Sequence, residues 1–227
     1  IRRQRQMCIR DRGTSVIDML FYSPVLLGRR LATLDVLSNG RLIAGFGLGW
    51  SVDEYQVAGI PFENRGERAD EFIDAIKNVW TKDIVEYSGK YYKIPPSIIG
   101  PKPIQKPHPE IYLGGFVHNT IPRIARAANG WIGTLHNNLD WAAQMIAGLK
   151  SQGAKHKRKD LKVILSVHLD VKSDDHISID PFVGTVEQIS HNLKSLESIG
   201  VNHVILSFRG FNATKLVQDI RQLKSFL

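Results

Sequence analysis

Arg41-Leu42-Ile43-Ala44-Gly45-Phe46-Gly47-Leu48-Gly49-Trp50 reads as a mostly apolar strand that runs out into alternating glycines. Helix-patterned sequence comes after it, and similar units lie on either side. Strand-like runs occupy residues 13–17, 41–47, 111–114, 131–134, 162–169 and 203–208, and a helical pattern succeeds each of them. Such alternation builds a parallel sheet covered by helices, and right-handed crossovers set successive strands side by side. Six units fall short of the eight that close a (β/α)8 barrel. The sequence therefore predicts an α/β chain of the TIM-barrel type lacking its first two strand–helix units, about 60 residues at ~30 per unit. Residues 13–227 are expected to form one partial barrel domain.

Local signals mark the elements. Ser23-Pro24 offers an N-cap with proline at the first helical position. Leu27, Leu31 and Leu34 then fall on one face, and Asn39-Gly40 stops the helix. After Gly66, residues Phe72, Ile73, Ile76, Val79 and Trp80 share a face, while Glu67, Asp70 and Glu71 suit the positive end of the helix dipole. Residues 81–109 are too long for a plain connection, so a functional loop is expected there, with a small hairpin at Tyr87-Ser88-Gly89-Lys90-Tyr91-Tyr92. Thr185 and Gln188 form a capping box, Gly200 ends that helix, and Leu216, Ile220 and Leu223 line the last one.

The composition, 43% hydrophobic and 23% charged, is that of an ordinary globular chain, and 227 residues bury enough surface to fold without a disulfide or metal. Cys8 is the single cysteine, so an internal disulfide and a CxxC zinc pair are both excluded, and a cytoplasmic location follows. No apolar run reaches the roughly 18 residues of a membrane span. The net charge of +8 is concentrated at the start: five arginines against Asp11 put half of it in residues 1–12. That opening has neither helical nor strand periodicity and is read as a foreign leader, with a disordered basic arm as the alternative. The other basic residues are dispersed, which argues against a nucleic-acid surface. A small anionic cofactor is a better use of a mild positive excess.

In parallel barrels the loops after the strands carry the chemistry. Two of these loops are glycine-rich. Gly45 to Gly49 closes one strand, and Gly114-Gly115 closes another ahead of a helix starting near Asn119 or Thr120. Glycine lets backbone approach a ring or phosphate closely, and a helix start adds N–H groups that favour phosphate; tight turns and packing are the alternative use, favoured for Gly45. The G-x-G-x-G spacing differs from the dinucleotide fingerprint, and neither a phosphate-binding G-x-x-x-x-G-K-[ST] nor a G-x-S-x-G nucleophile motif occurs. No histidine pairs with another at metal-ligand spacing, and no metal is expected. His118 and His136 follow strands and are candidates for ligand contact, whereas His108, His168 and His203 read as structural. Asp53 and Glu54 either cap a short helix or touch ligand.

Several longer stretches carry a family likeness. They are Leu31-Ala32-Thr33-Leu34-Asp35-Val36-Leu37-Ser38-Asn39-Gly40-Arg41, Gly47-Leu48-Gly49-Trp50, and Gly59-Ile60-Pro61-Phe62 through Arg65-Gly66-Glu67-Arg68. Pro101-Lys102-Pro103-Ile104-Gln105-Lys106-Pro107-His108-Pro109, Ile111-Tyr112-Leu113-Gly114-Gly115 and Asn129-Gly130-Trp131 continue it. Together these resemble the luciferase-like monooxygenase superfamily, most closely the branch that uses the deazaflavin coenzyme F420. The resemblance implies a (β/α)8 barrel, often a homodimer, with the coenzyme at the strand ends, and FMN as the alternative coenzyme. It implies a hydride-transferring oxidoreductase acting on a small molecule; the alternatives are an FMN-dependent monooxygenase and a non-catalytic barrel fragment. By the same match a non-proline cis peptide joins Ser15 and Val16 behind the ring. Asp18, Leu48, Gly49, Trp50 and Asp53 border the cofactor, and Gly114, Gly115, Val117 and His118 hold its phosphate. Sugar-phosphate dehydrogenases of the family have glutamate where this chain has Trp50, so the resemblance does not extend to that substrate. The match assigns no catalytic acid or base.

Overall fold

A computed structural model describes residues 11–135, 139–172, 178, 180–208 and 213–226. Two compact units are distinguished: residues up to 115 with 127–129, and residues 116–126 with those from 130 onward.

The first unit is built on a parallel sheet. Strands β1 (Arg12–Gly13) and β2 (Ile17–Asp18) both pair with β3 (Leu42–Gly47), which pairs in turn with β6 (Glu110–Gly114). The expected strand at residues 13–17 is thus two short pieces, and it begins a residue early, with Arg12 opposite Leu42. Between the pieces the Thr14 hydroxyl donates to the Gly45 carbonyl at 2.8 Å and accepts the Gly45 N–H at 2.9 Å, replacing ladder bonds with a side chain. Strand β3 is buried along nearly its whole length, as its apolar run requires.

Helix α1 (Pro24–Ser38) follows β2 after a short 3-10 turn, Met19–Phe21. Ser23 is extended but makes no side-chain cap bond, so Pro24 and backbone geometry set the start. Asn39 and Gly40 close the helix in the left-handed region, at φ 57° and 72°. Leu27 and Leu31 are buried as expected, whereas Leu34 is half exposed because it sits at the edge of the buried stripe. After the short α2 (Val52–Val57) comes α3 (Arg65–Thr81), whose Phe72, Ile73, Ile76, Val79 and Trp80 are all buried. The Trp80 indole donates to the Gly28 carbonyl of α1 at 2.9 Å, locking the two helices together.

Strands β4 (Ile84–Ser88) and β5 (Lys93–Ile98) form an antiparallel hairpin in the long insertion. The Glu71 carboxylate accepts the N–H groups of Lys90, Tyr91 and Tyr92 at its turn, and Glu67 accepts from Lys90 Nζ and the Tyr91 hydroxyl. Glu67, in the first turn of α3, and Glu71, a turn further on, therefore clamp the hairpin, and only Glu67 also suits the positive end of the helix dipole. Asp35, fully buried, accepts the N–H groups of Ile104 and Gln105 and the Gln105 side-chain amide, tying the proline-rich segment to α1.

In the second unit α4 (Thr120–Ala127) leads to β7 (Gly130–Thr134), which pairs in parallel with β8 (Lys162–Val171), itself paired with β10 (His203–Phe208). Helices α5 (Leu139–Lys155), α6 (Val186–Ile199) and α7 (Ala213–Phe226) alternate with these strands. A two-residue strand β9 (Val183–Gly184), not anticipated, pairs with the end of β8. The Thr185–Gln188 capping box forms, with Gly200 as the left-handed cap of α6. In α7, Leu223 is buried but Ile220 is 43% exposed, contrary to expectation, and the Leu216 side chain lies outside the described residues.

Candidate functional site

The C-terminal ends of β2, β3 and β6 come together in the first unit. Asp18 lies opposite Gly47, and Phe46 opposite Leu113, so Gly47 and Gly114 sit at one end of the sheet. The peptide joining Ser15 and Val16 is cis, as the resemblance implies. Val16 leaves 38% of its surface exposed although it is apolar and beside the sheet. A Cβ at Gly47 would stand 2.8 Å from both Val16 Cγ2 and Asp18 Oδ1, and one at Gly114 would touch both Val16 methyls at 3.5 Å. Absent side chains at 47 and 114 thus leave Val16 uncovered, giving a narrow apolar floor between two stretches of bare backbone.

The loop above this floor is pinned from two sides. Gly49 adopts φ +78°, a conformation that favours glycine. Its N–H hydrogen-bonds the Asp18 carboxylate. Burial pushes the Asp18 carboxyl above the usual carboxylate range, and the Gly49 bond opposes that shift. From the other side the buried Tyr55 hydroxyl donates to the Leu48 carbonyl. The Tyr55 ring meets Phe21 and Phe62 edge-on, at 4.9 and 5.1 Å between centroids. Burial also raises the Tyr55 pKa, so the phenol keeps its proton and remains a donor. Sequence reasoning missed Tyr55, whose only signal is an aromatic residue seven positions after Leu48.

The remaining expected residues are placed as follows. Trp50 is 82% exposed. Ser51 caps α2 by accepting the Glu54 N–H at 3.3 Å, so Asp53, exposed in the first turn, is not the cap. Ser15 is exposed. Gly115 follows Gly114 in the first unit, while Val117 and His118 belong to the second, where their carbonyls accept the N–H groups of Thr120 and Ile121 and open α4. His136 lies outside the described residues. Among the described residues no group of three His, Cys, Asp or Glu is placed to hold a metal, and no helix is long and apolar enough to cross a membrane.

The chain as a whole is similar to known proteins. An FMNH2-dependent dimethylsulfone monooxygenase of Pseudomonas putida is 31% identical over 136 residues, which are 59% of this chain and 37% of that protein. An F420-dependent glucose-6-phosphate dehydrogenase of Amycolatopsis mediterranei is 29% identical over 200 residues, 82% of this chain and 59% of that one. The chain therefore spans less than two thirds of the length of either relative. The solved structure of the coenzyme F420 dependent tetrahydromethanopterin reductase from Methanopyrus kandleri superposes with a TM-score of 0.81 at 16% identity, covering 96% of this chain and 83% of that one. Such a likeness establishes the fold class as α/β of the TIM-barrel type. The family described as luciferase-like monooxygenase matches residues 12–176, and the chain belongs to it.

Proposed function

We propose that this chain binds coenzyme F420 at the strand ends of its first unit and serves as an oxidoreductase moving a hydride between that coenzyme and a small organic molecule. The observation that carries the reading is the exposed Val16 side chain set between side-chain-free Gly47 and Gly114. A flat apolar ring fits such a floor, because bare backbone admits it closely and the valine offers it dispersion contact. When bound, the coenzyme supplies the hydride acceptor or donor at its ring. The chain's own groups bind and orient. Ser15, Val16 and Gly47 form the floor, and Asp18 fixes the Gly49 N–H, which sets the height of Leu48, Gly49 and Trp50 above it. Asp53 borders the same loop. Gly114 and Gly115 admit phosphate by their lack of side chains, and Val117 and His118 lead into α4, whose positive end suits an anion.

F420 is preferred over FMN because the relative named for F420 aligns over the longer stretch, 200 residues against 136. FMN remains the second reading, supported by the relative named for FMNH2. The small-molecule substrate would be handled by a single barrel domain over residues 13–227, as a cytoplasmic homodimer. Titrating the purified chain with each coenzyme separates the readings. Saturable quenching of F420 fluorescence is expected; saturation by FMN alone would overturn the choice of F420.

A further inference from the structure

The geometry points to a second ligand site in the first unit, a pocket that takes a small organic monocarboxylate with a flat apolar body, using Arg68 as its charge partner. A cavity of about 540 Å³ lies where the start of α3, the segment after α2 and the hairpin turn meet. That volume is in the range of small-molecule sites, roughly 300–1,000 Å³. Its apolar walls include Leu20, Ile60 and Pro61, and the rings of Tyr22, Tyr91 and Tyr92 also line it. Aromatic walls of this kind suit a planar ligand.

Arg68 gives the pocket its polarity. It lines the cavity with only 8% of its surface exposed. Its Nη2 donates to the carbonyls of Pro61 and Glu63, the latter at 2.7 Å, while its Nε is buried without a partner among the described residues. No described carboxylate pairs with it, since Glu67 is engaged by Lys90 and Tyr91 and Glu71 by the backbone of the hairpin turn. A guanidinium buried without a counter-charge is unfavourable, and an anion entering the cavity would relieve it. Both Nη2 hydrogens are taken by the Pro61 and Glu63 carbonyls and Nε is shut off from the surface, so a carboxylate is held by the charge of Arg68, with Nη1 the amino group left to donate. Tyr92 adds a second donor: burial pushes its pKa up to about 12, so the hydroxyl stays protonated. Glu63 also lines the cavity, but its side chain is exposed and makes no ion pair with Arg68; it repels a dianion more than a monoanion, which favours a monocarboxylate over a phosphate.

The site does not depend on which coenzyme the chain takes, so it is tested without one. Benzoate serves as the probe and benzamide as its neutral counterpart, with binding read by ligand-observed NMR at neutral pH. Benzoate should saturate one site per chain at least tenfold more tightly than benzamide, and Arg68→Gln should abolish that difference. Because Arg68 also holds the Pro61 and Glu63 carbonyls, Ile60→Trp, which fills the cavity and leaves those bonds intact, is run beside it. Circular dichroism verifies that each variant is folded. Loss of benzoate binding in folded Ile60→Trp supports the site. Absence of saturable benzoate binding, equal binding of benzamide, or undiminished binding in Ile60→Trp or folded Arg68→Gln would overturn it.

Discussion

Gly47 has no room for a methyl group, with Asp18 Oδ1 and Val16 Cγ2 both 2.8 Å from where it would lie. Gly47→Ala should destabilise the fold by about 1–3 kcal/mol through overpacking, measurable in urea. Asp18 makes a different prediction. Its carboxyl is raised by burial, so the ionised form is disfavoured in the folded chain relative to the unfolded one. Stability from this group is therefore present at low pH and lost as pH rises through its folded pKa. Asp18→Asn keeps an oxygen for the Gly49 N–H and removes the charge. At pH 7 the variant should melt no lower than the parent, and any advantage should vanish as pH approaches 4; a variant losing stability with rising pH as the parent does would contradict this. The glycines of the rim are readable in the sequence because their spacing is local. The Thr14 hydroxyl is not, because its partner Gly45 is 31 residues away and nothing in a strand pattern marks a side chain that substitutes for a ladder bond.

At the scale of elements, the turn of the β4–β5 hairpin gathers three backbone N–H groups on the Glu71 carboxylate, while Glu67 holds the side chains of Lys90 and Tyr91. Glu71→Ala leaves the Lys90, Tyr91 and Tyr92 N–H groups without their acceptor, and charge-assisted bonds of this kind contribute ~1.5–3 kcal/mol each when well formed. Hydrogen exchange at those amides should accelerate at least tenfold, while β3 amides keep their protection. Uniform acceleration across both would show that the clamp is not local. Asp35→Ala should similarly release the Ile104 and Gln105 amides, and proteolysis near Gln105 should quicken. Strand runs, the helix stops at Asn39 and Gly200 and the Thr185 capping box are legible because each rests on neighbours in sequence. Strand β9 is not, since two residues carry no period. The exposure of Leu34 and Ile220 is hidden for another reason: helical spacing identifies a face but not how far the neighbouring layer reaches across it.

For the whole molecule, the sequence announces the α/β class through alternation alone, and the solved structure that superposes with a TM-score of 0.81 has the same fold. The floor built by Val16, Gly47 and Gly114 is only half legible. Its glycines are visible, but the apolar residue they uncover becomes evident once β2 is aligned on β3. The central claim is that this floor receives the ring of F420. Equilibrium dialysis of F420 against the parent chain and Gly47→Ala, side by side, tests it most directly. The account predicts saturable binding by the parent and at least tenfold weaker binding by the variant, with both folded by circular dichroism; equal affinity for the two, or no F420 binding by the parent, would contradict it.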